Sequence, residues 1–467
     1  MVGAEKIAVE KVAVEKNGAT STQSDKMGTA PIPTLVWQMS LPPLISMFIQ
    51  YSYNLVDSMF VAQVSEQALA AVSLSFPITT LMNALSIWVG VGANVLIAGY
   101  LGQGERRRAN EATTLALLVS VVLGIASNLV VLLAVRPYYA LFTQSQEILE
   151  CGLAFMGVCA FMQVPNMVHI AIQKSLQATG NMLTPMWFQI AGVALNFALN
   201  PVLVFGLGPF PRMGVVGSAV ATVLGYTLSM AIALVLLFSG RQGVVPALRG
   251  FRPNARMVGQ IFSYGLPSFV MNALGSFMVY CANLFLVAYS DTAVAFFGAY
   301  FKVQQLVVMT TNGLVQGTLP IMRYNFKAGL RKRLGQTFKV SLAAAVAMML
   351  AGALLVAGLP GPILALFAAS EQMCELGEGA MRIMTAGFVF NGVSTMVATY
   401  DQATDRVACS MAIQLLRQGA LLVPLMWALD RVLGMTGIWL AFPVTEMVVC
   451  ALAVGMELYG RRMYKIG

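Results

Sequence analysis

Four polar side chains, Gln50, Tyr53, Asn54 and Asp57, interrupt an otherwise apolar segment at positions i, i+3, i+4 and i+7, which places them on one face of a helix. A carboxylate in such a stripe can bind a cation, exchange a proton or bond a neighbouring helix. Two more stripes keep helical spacing: Asn166, His169, Gln173 and Gln177, and Asn196 with Asn200. Three helices can thus turn carboxylate, amide and imidazole groups toward a shared space. The same amides would equally serve as interhelical hydrogen bonds for packing. His169 is the only histidine; its titration range suits a proton relay, and a packed hydrogen-bonding role is the plainer alternative.

The elements that must carry these residues follow from composition. The chain has 467 residues, 58% hydrophobic and only 10% charged, with apolar stretches of about twenty residues recurring from Leu35 almost to the end. This is the pattern of a polytopic membrane protein. At membrane depth a carboxylate costs at least ~2.5 kcal/mol, so Asp57 is a functional candidate; it lies ~22 Å of helix beyond Pro42. Twelve spans are predicted, starting near residues 34, 68, 112, 150, 185, 214, 258, 293, 337, 375, 410 and 435. Basic residues cluster at 102–110, 241–256, 323–333 and in the C-terminal tail, after spans two, six, eight and twelve. The positive-inside rule then puts both termini in the cytoplasm of a cell that holds the protein in its cytoplasmic membrane. The first residues, polar and charged, read as a disordered tail with room for a short helical segment. The six cysteines mostly fall in apolar segments and form no metal-ligand spacing, so they read as packing residues.

The chain also repeats itself. At an offset of 225, "PYYALFTQSQEILECGLAFM" (137–156) matches "PILALFAASEQMCELGEGAM" (362–381) without gaps, with eight of twenty positions identical, where chance gives one or two. The same offset pairs Leu41-Pro42 with Leu266-Pro267 and the two "QAT" segments at 177–179 and 402–404. The expected organisation is a cytoplasmic tail (1–32), a six-helix N-lobe (33–240), a basic cytoplasmic linker (241–257) and a six-helix C-lobe (258–467). An even span count makes the repeats parallel, one known transporter architecture. The lobes differ in chemistry: Asp57 pairs with Ala282, while Lys302, Arg382 and Arg417 pair with Pro77, Gly157 and Gly192. Glu446 is a candidate partner for one of these bases, and the bases themselves a candidate cationic wall for anionic or zwitterionic compounds.

The segment "PLISMFIQYSYNLVDSMFVAQVSEQALAAVSLSFPI" resembles the first-helix signature of the multidrug and toxic compound extrusion (MATE) family, in its bacterial DinF/Vmr-like branch. "SLQATGNMLTPM", "LNPVLVFGLGPFPRMGVVGSAVAT" and "QGTLPIMRYNFKAG" extend the likeness over essentially the whole membrane portion. The resemblance implies an all-α polytopic membrane protein with twelve transmembrane helices in two six-helix lobes around a central cavity. It implies an antiporter that exports small amphipathic compounds against inward flow of H+ or Na+. Asp57 occupies the place of the family's coupling carboxylate, and Pro42, Gln50, Gln173, Asn196 and Thr222 match positions implicated there. One departure stands out: where the family has aspartate in a pattern like "LDP", this chain has Asn200 in "LNP". Asp57 is then the carboxylate left to titrate, neutralised by one proton or by one Na+ that Asn196, Asn200 and Thr222 help to ligate.

The alternative is a flippase for lipid-linked precursors, which the bases Lys302, Arg382 and Arg417 would favour. No clustered carboxylates, HExxH segment or GxxxxGK[ST] loop is present, which argues against an enzyme and against direct ATP drive. No cofactor and no bound metal beyond the coupling ion are expected. The partners expected are a small-molecule substrate and the bilayer, not nucleic acid, with the protein acting as a monomer. The net charge of +9 suits basic loops beside anionic lipid.

Overall fold

The computed structural model describes residues 23–62, 64–143, 145–240, 242–247, 251–367 and 370–464; within these, the side chains of 53–59, 61, 62, 66, 69 and 458–464 fall outside the description. Every regular element among the described residues is a helix. In chain order they are α1 (Gln23–Thr29), α2 (Ile32–Ala62), α3 (Glu66–Gly102), α4 (Arg106–Phe142), α5 (Gln146–Cys159), α6 (Gln163–Ala178), α7 (Leu183–Phe205), α8 (Val215–Phe238), α9 (Ala255–Leu286), α10 (Asp291–Lys327), α11 (Arg331–Gly358), α12 (Pro360–Ala365), α13 (Glu371–Thr385), α14 (Phe388–Ala403), α15 (Val407–Leu415), α16 (Leu422–Leu433) and α17 (Met435–Tyr464). Twelve spans among the described residues are long and apolar enough to cross a membrane; α5 with α6, α13 with α14, and α15 with α16 each make one of them.

The duplication read from sequence governs the helix boundaries. Glu66–Gly102 and Asp291–Lys327 are offset by 225 at both ends, as are the starts of α4 and α11, of α5 and α13, and of α6 and α14. The local causes repeat too. Ser145 and Ser370 are paired N-caps, whose hydroxyls accept from Ile148 N and Met373 N, each satisfying a donor that the helix start leaves open.

The residues form two compact units. Among the described residues, one comprises 23–30, 41–269 and 327–329; the other comprises 31–40, 270–326 and 330–464. The leading segment of α2 therefore belongs to the second unit and that of α9 to the first. Both docks need glycine. A Cβ at Gly92 of α3 would sit 1.9 Å from the Ile261 carbonyl oxygen of α9, and one at Gly317 of α10 would sit 2.4 Å from Ser40 Oγ of α2; Gly92 and Gly317 are again 225 apart. The N-terminal stretch expected as tail through residue 32 is helical from Gln23, with Met27 fully buried. Its Asp25 in the first turn and Lys26 in the last suit the helix dipole.

Candidate functional site

The first unit holds a small, partly open cavity of about 30 Å³ with several polar side chains in its lining, enough for water-sized occupants. Four helices wall it. Gln50 comes from α2, His169 from α6, Gln189, Gly192 and Asn196 from α7, and Thr222, Tyr226 and Ser229 from α8. The α7 residues share a face because 189, 192 and 196 keep i, i+3, i+7 spacing.

Amides connect these helices. Gln173 Nε2 donates to Gln189 Oε1 at 3.2 Å, and Gln189 Nε2 donates to Gln50 Oε1 at 3.2 Å. Gln50 and Tyr226 line the same cavity. On the other side, Asn196 Nδ2 donates to Thr222 Oγ1 at 3.1 Å, joining α7 to α8. The His169 ring stands edge-on to Phe188 and Tyr226, with centroids 5.5 and 6.0 Å away, and its nitrogens make no hydrogen bond to another helix among the described residues. Among the described residues, its ring packs as part of the cavity wall. The lining offers carbonyl and hydroxyl oxygens, the donors a hard cation or its water prefers.

The sequence-predicted residues divide accordingly. Gln50, His169, Gln173, Asn196 and Thr222 come together in or beside this cavity. Asn200 is buried one turn beyond Asn196 on α7, outside the lining. Pro42 lies buried inside α2. Tyr53, Asn54 and Asp57 belong to α2, and their side chains lie outside the described residues. The α6 stripe does not face one space throughout. Asn166 Nδ2 donates to Ser86 Oγ of α3 at 3.3 Å, while Gln177 accepts from Lys174 Nζ at 3.0 Å. Lys174, itself only 8% exposed, was not among the predicted residues.

The three bases of the second lobe differ in burial and pairing. Lys302 is exposed, and Arg382 is exposed beside Glu378 of its own helix at 3.7 Å. Only Arg417 is buried, and Glu446 is its partner, with Arg417 Nε 3.4 Å from Glu446 Oε2. A second charged cluster, which sequence inspection missed, gathers around the turn after α14. Arg323 bonds Asp405 at 2.6 Å and the Ala403 carbonyl at 3.0 Å, and Arg406 pairs with Asp401 at 2.5 Å and with Glu457.

Twelve spans in a tandem six-helix repeat, with a polar pocket inside the first repeat, define a membrane transporter rather than an enzyme. The MatE family model matches residues 42–202 and 267–428, segments whose starts are themselves 225 apart, and the chain belongs to this family of multidrug and toxic compound extrusion transporters. It is similar to the multidrug export protein MepA of Staphylococcus aureus, 26% identical over 439 residues that cover 92% of this chain and 94% of that one. It is also similar to an FAD transporter of Shewanella oneidensis, 24% identical over 422 residues, 90% and 93% of the two chains. Among solved structures, an outward-facing multidrug resistance MATE transporter aligns with a TM-score of 0.89 over 96% of this chain and 99% of the other, at 22% identity. A transporter of the same superfamily from Pyrococcus furiosus aligns equally well.

Proposed function

We propose that this protein is a cation-driven exporter of small amphipathic compounds, with coupling seated in the first lobe. The carrying observation is the convergence of Gln50, Gln189, Asn196, Thr222, Tyr226 and Ser229, from α2, α7 and α8, on one cavity within that lobe. Asp57 lies seven residues beyond Gln50, hence on the same face of α2 and about 10 Å farther along it. An inward-moving H+ or Na+ neutralises Asp57, with Asn196, Asn200 and Thr222 as supporting oxygens. Neutralisation and release then alternate with opening to either side, which moves the compound outward. The basic loops face the cytoplasm of the bacterial cell membrane, and the protein works as a monomer.

The relatives bracket the cargo between drugs and an anionic dinucleotide. The flippase alternative leaned on three bases; two of these are exposed and the third is neutralised by Glu446, which favours the exporter. The test is uptake of a fluorescent amphipathic cation by proteoliposomes under an imposed proton or sodium gradient. Wild type responds to one gradient and Asp57→Asn loses that response. An Asp57→Asn variant that matches wild type would remove Asp57 from the coupling role.

A further inference from the structure

The 225-residue offset carries the first-lobe cavity onto a defined place in the second lobe. Gly192 maps to Arg417, His169 to Ser394, Asn166 to Asn391, and Ala221, next to Thr222, to Glu446. In the first lobe the glycine is obligatory, because a Cβ at Gly192 would lie 1.9 Å from Ser229 Oγ; the space beside it stays open as the cavity. In the second lobe the longest cationic side chain fills the equivalent place.

Arg417 is 7% exposed. Its Nη1 donates to Thr395 Oγ1 at 3.0 Å, its Nη2 donates to Ser394 Oγ, and its Nε lies 3.4 Å from Glu446 Oε2. Asn391 Nδ2 donates to Glu446 Oε1 at 2.8 Å and holds that carboxylate in position. The helix carrying Arg417 widens to a π turn over Leu416–Ala420, a distortion found mostly where a helix serves a site. Gln414 Oε1 and Thr445 Oγ1, on the same two helices, are buried with no hydrogen bond among the described residues. Take the guanidinium away and a carboxylate with two hydroxyls remains, contributed by α14 and α17. That is the donor set of a small hard cation.

We propose that the second lobe holds a monovalent-cation site, the counterpart of the first-lobe cavity, occupied by the guanidinium of Arg417 as a tethered cation. The second lobe therefore exchanges no ion with solution, and a short neutral residue at 417 opens it to Na+ or to a proton. This builds on the first-lobe coupling reading, but its test is confined to the second lobe, so either can fail alone. Among the described residues, Tyr300 of α10 and Cys450 of α17 also lie in electrostatic reach of Glu446, and neither supplies a positive charge.

The experiment uses the full chain in detergent. Thermal unfolding of the parent, Arg417→Ala and Arg417→Ala with Glu446→Gln is followed while NaCl replaces choline chloride at constant ionic strength. It is repeated in Asp57 and Asp57→Asn backgrounds, at about pH 8 and about pH 5.5. The expected result is a gain in melting temperature for Arg417→Ala that rises with the logarithm of sodium concentration. The gain exceeds that of the parent carrying the same residue at position 57, is present in both backgrounds and is abolished by Glu446→Gln. A gain on acidification without sodium, abolished by the same second substitution, keeps the site and makes the proton its occupant. Folded variants with neither response overturn the proposal. Arg417→Gln, which keeps hydrogen-bonding capacity toward Ser394 and Thr395, provides the same readout if the alanine variant does not fold.

Discussion

Gln189 holds two bonds at once, accepting from Gln173 and donating to Gln50, so Gln189→Leu strands two amides beside the cavity. An orphaned buried polar group costs about 1–3 kcal/mol, and the variant should melt several degrees lower than wild type in detergent. An unchanged melting temperature would mean that water already serves those amides. Gln50 and Gln173 were legible from the stripes on their helices. Gln189 was not, although it extends the Asn196–Asn200 face by two turns, because a single amide near a span's end carries no distinguishing signal. The opposite error concerns Asn166. From 166 to 177 the α6 stripe keeps one face but runs about 16 Å along the axis. It meets Ser86 at one end, the cavity in the middle and Lys174 at the other. Periodicity gives the face and is silent on which neighbour lies at each depth.

Helices pack in this chain as closely as their glycines allow. Gly92→Ala pushes a methyl into the α9 backbone at Ile261, and overpacking of this kind destabilises by about 1–3 kcal/mol. Gly335 on α11 is the control, since a Cβ there meets nothing within 4 Å; Gly335→Ala should gain about 0.5–1 kcal/mol from helix propensity. Opposite signs in detergent melting temperatures check the pair, and a Gly92→Ala variant as stable as wild type would show that α9 can yield. The spans themselves were readable in advance, because a twenty-residue apolar run bounded by basic loops has few other solutions. The π turn at Leu416–Ala420 was not, since no composition announces one extra residue in a helical turn. Nor was the pairing of Arg406 with Asp401 and Glu457, which depends on how α14 and α17 meet.

On the scale of the whole chain, the 241–257 segment looks like the connector between repeats, yet the units are divided elsewhere. Gln242 is fastened to Asn181 at 2.5 Å, Val245 N to Asn110 Oδ1 at 3.0 Å and Ala247 N to Thr114 Oγ1 at 2.7 Å. Residues 255–269 then remain in the first unit. There the carbonyl of Phe262 accepts from Trp88 Nε1 at 2.7 Å and Phe269 stacks on the same ring at 4.5 Å. A fragment of residues 1–247 lacks both and uncovers the notch at Gly92; a fragment of residues 1–270 keeps them. Expressed as fluorescent fusions, the longer fragment should give a monodisperse peak on size exclusion and the shorter one an aggregated or degraded product. Equal profiles would mean that the leading turns of α9 are dispensable to the first unit.

Two of the passages from one unit to the other lie inside the first helix of a repeat, between Ser40 and Leu41 of α2 and between Phe269 and Val270 of α9. Both lie within three residues of a proline, Pro42 and Pro267, where the helix lacks one rung of its hydrogen-bond ladder. Each repeat thus lends the opening turns of its first helix to the other. In the language of assembly, this is a domain swap within one chain: had the six-helix repeat once existed as a separate chain, it would have been complete only with those turns borrowed from a second copy. Fusion into one chain removed the need for identical halves. One half could then keep an open polar cavity while the other filled the same place with an arginine.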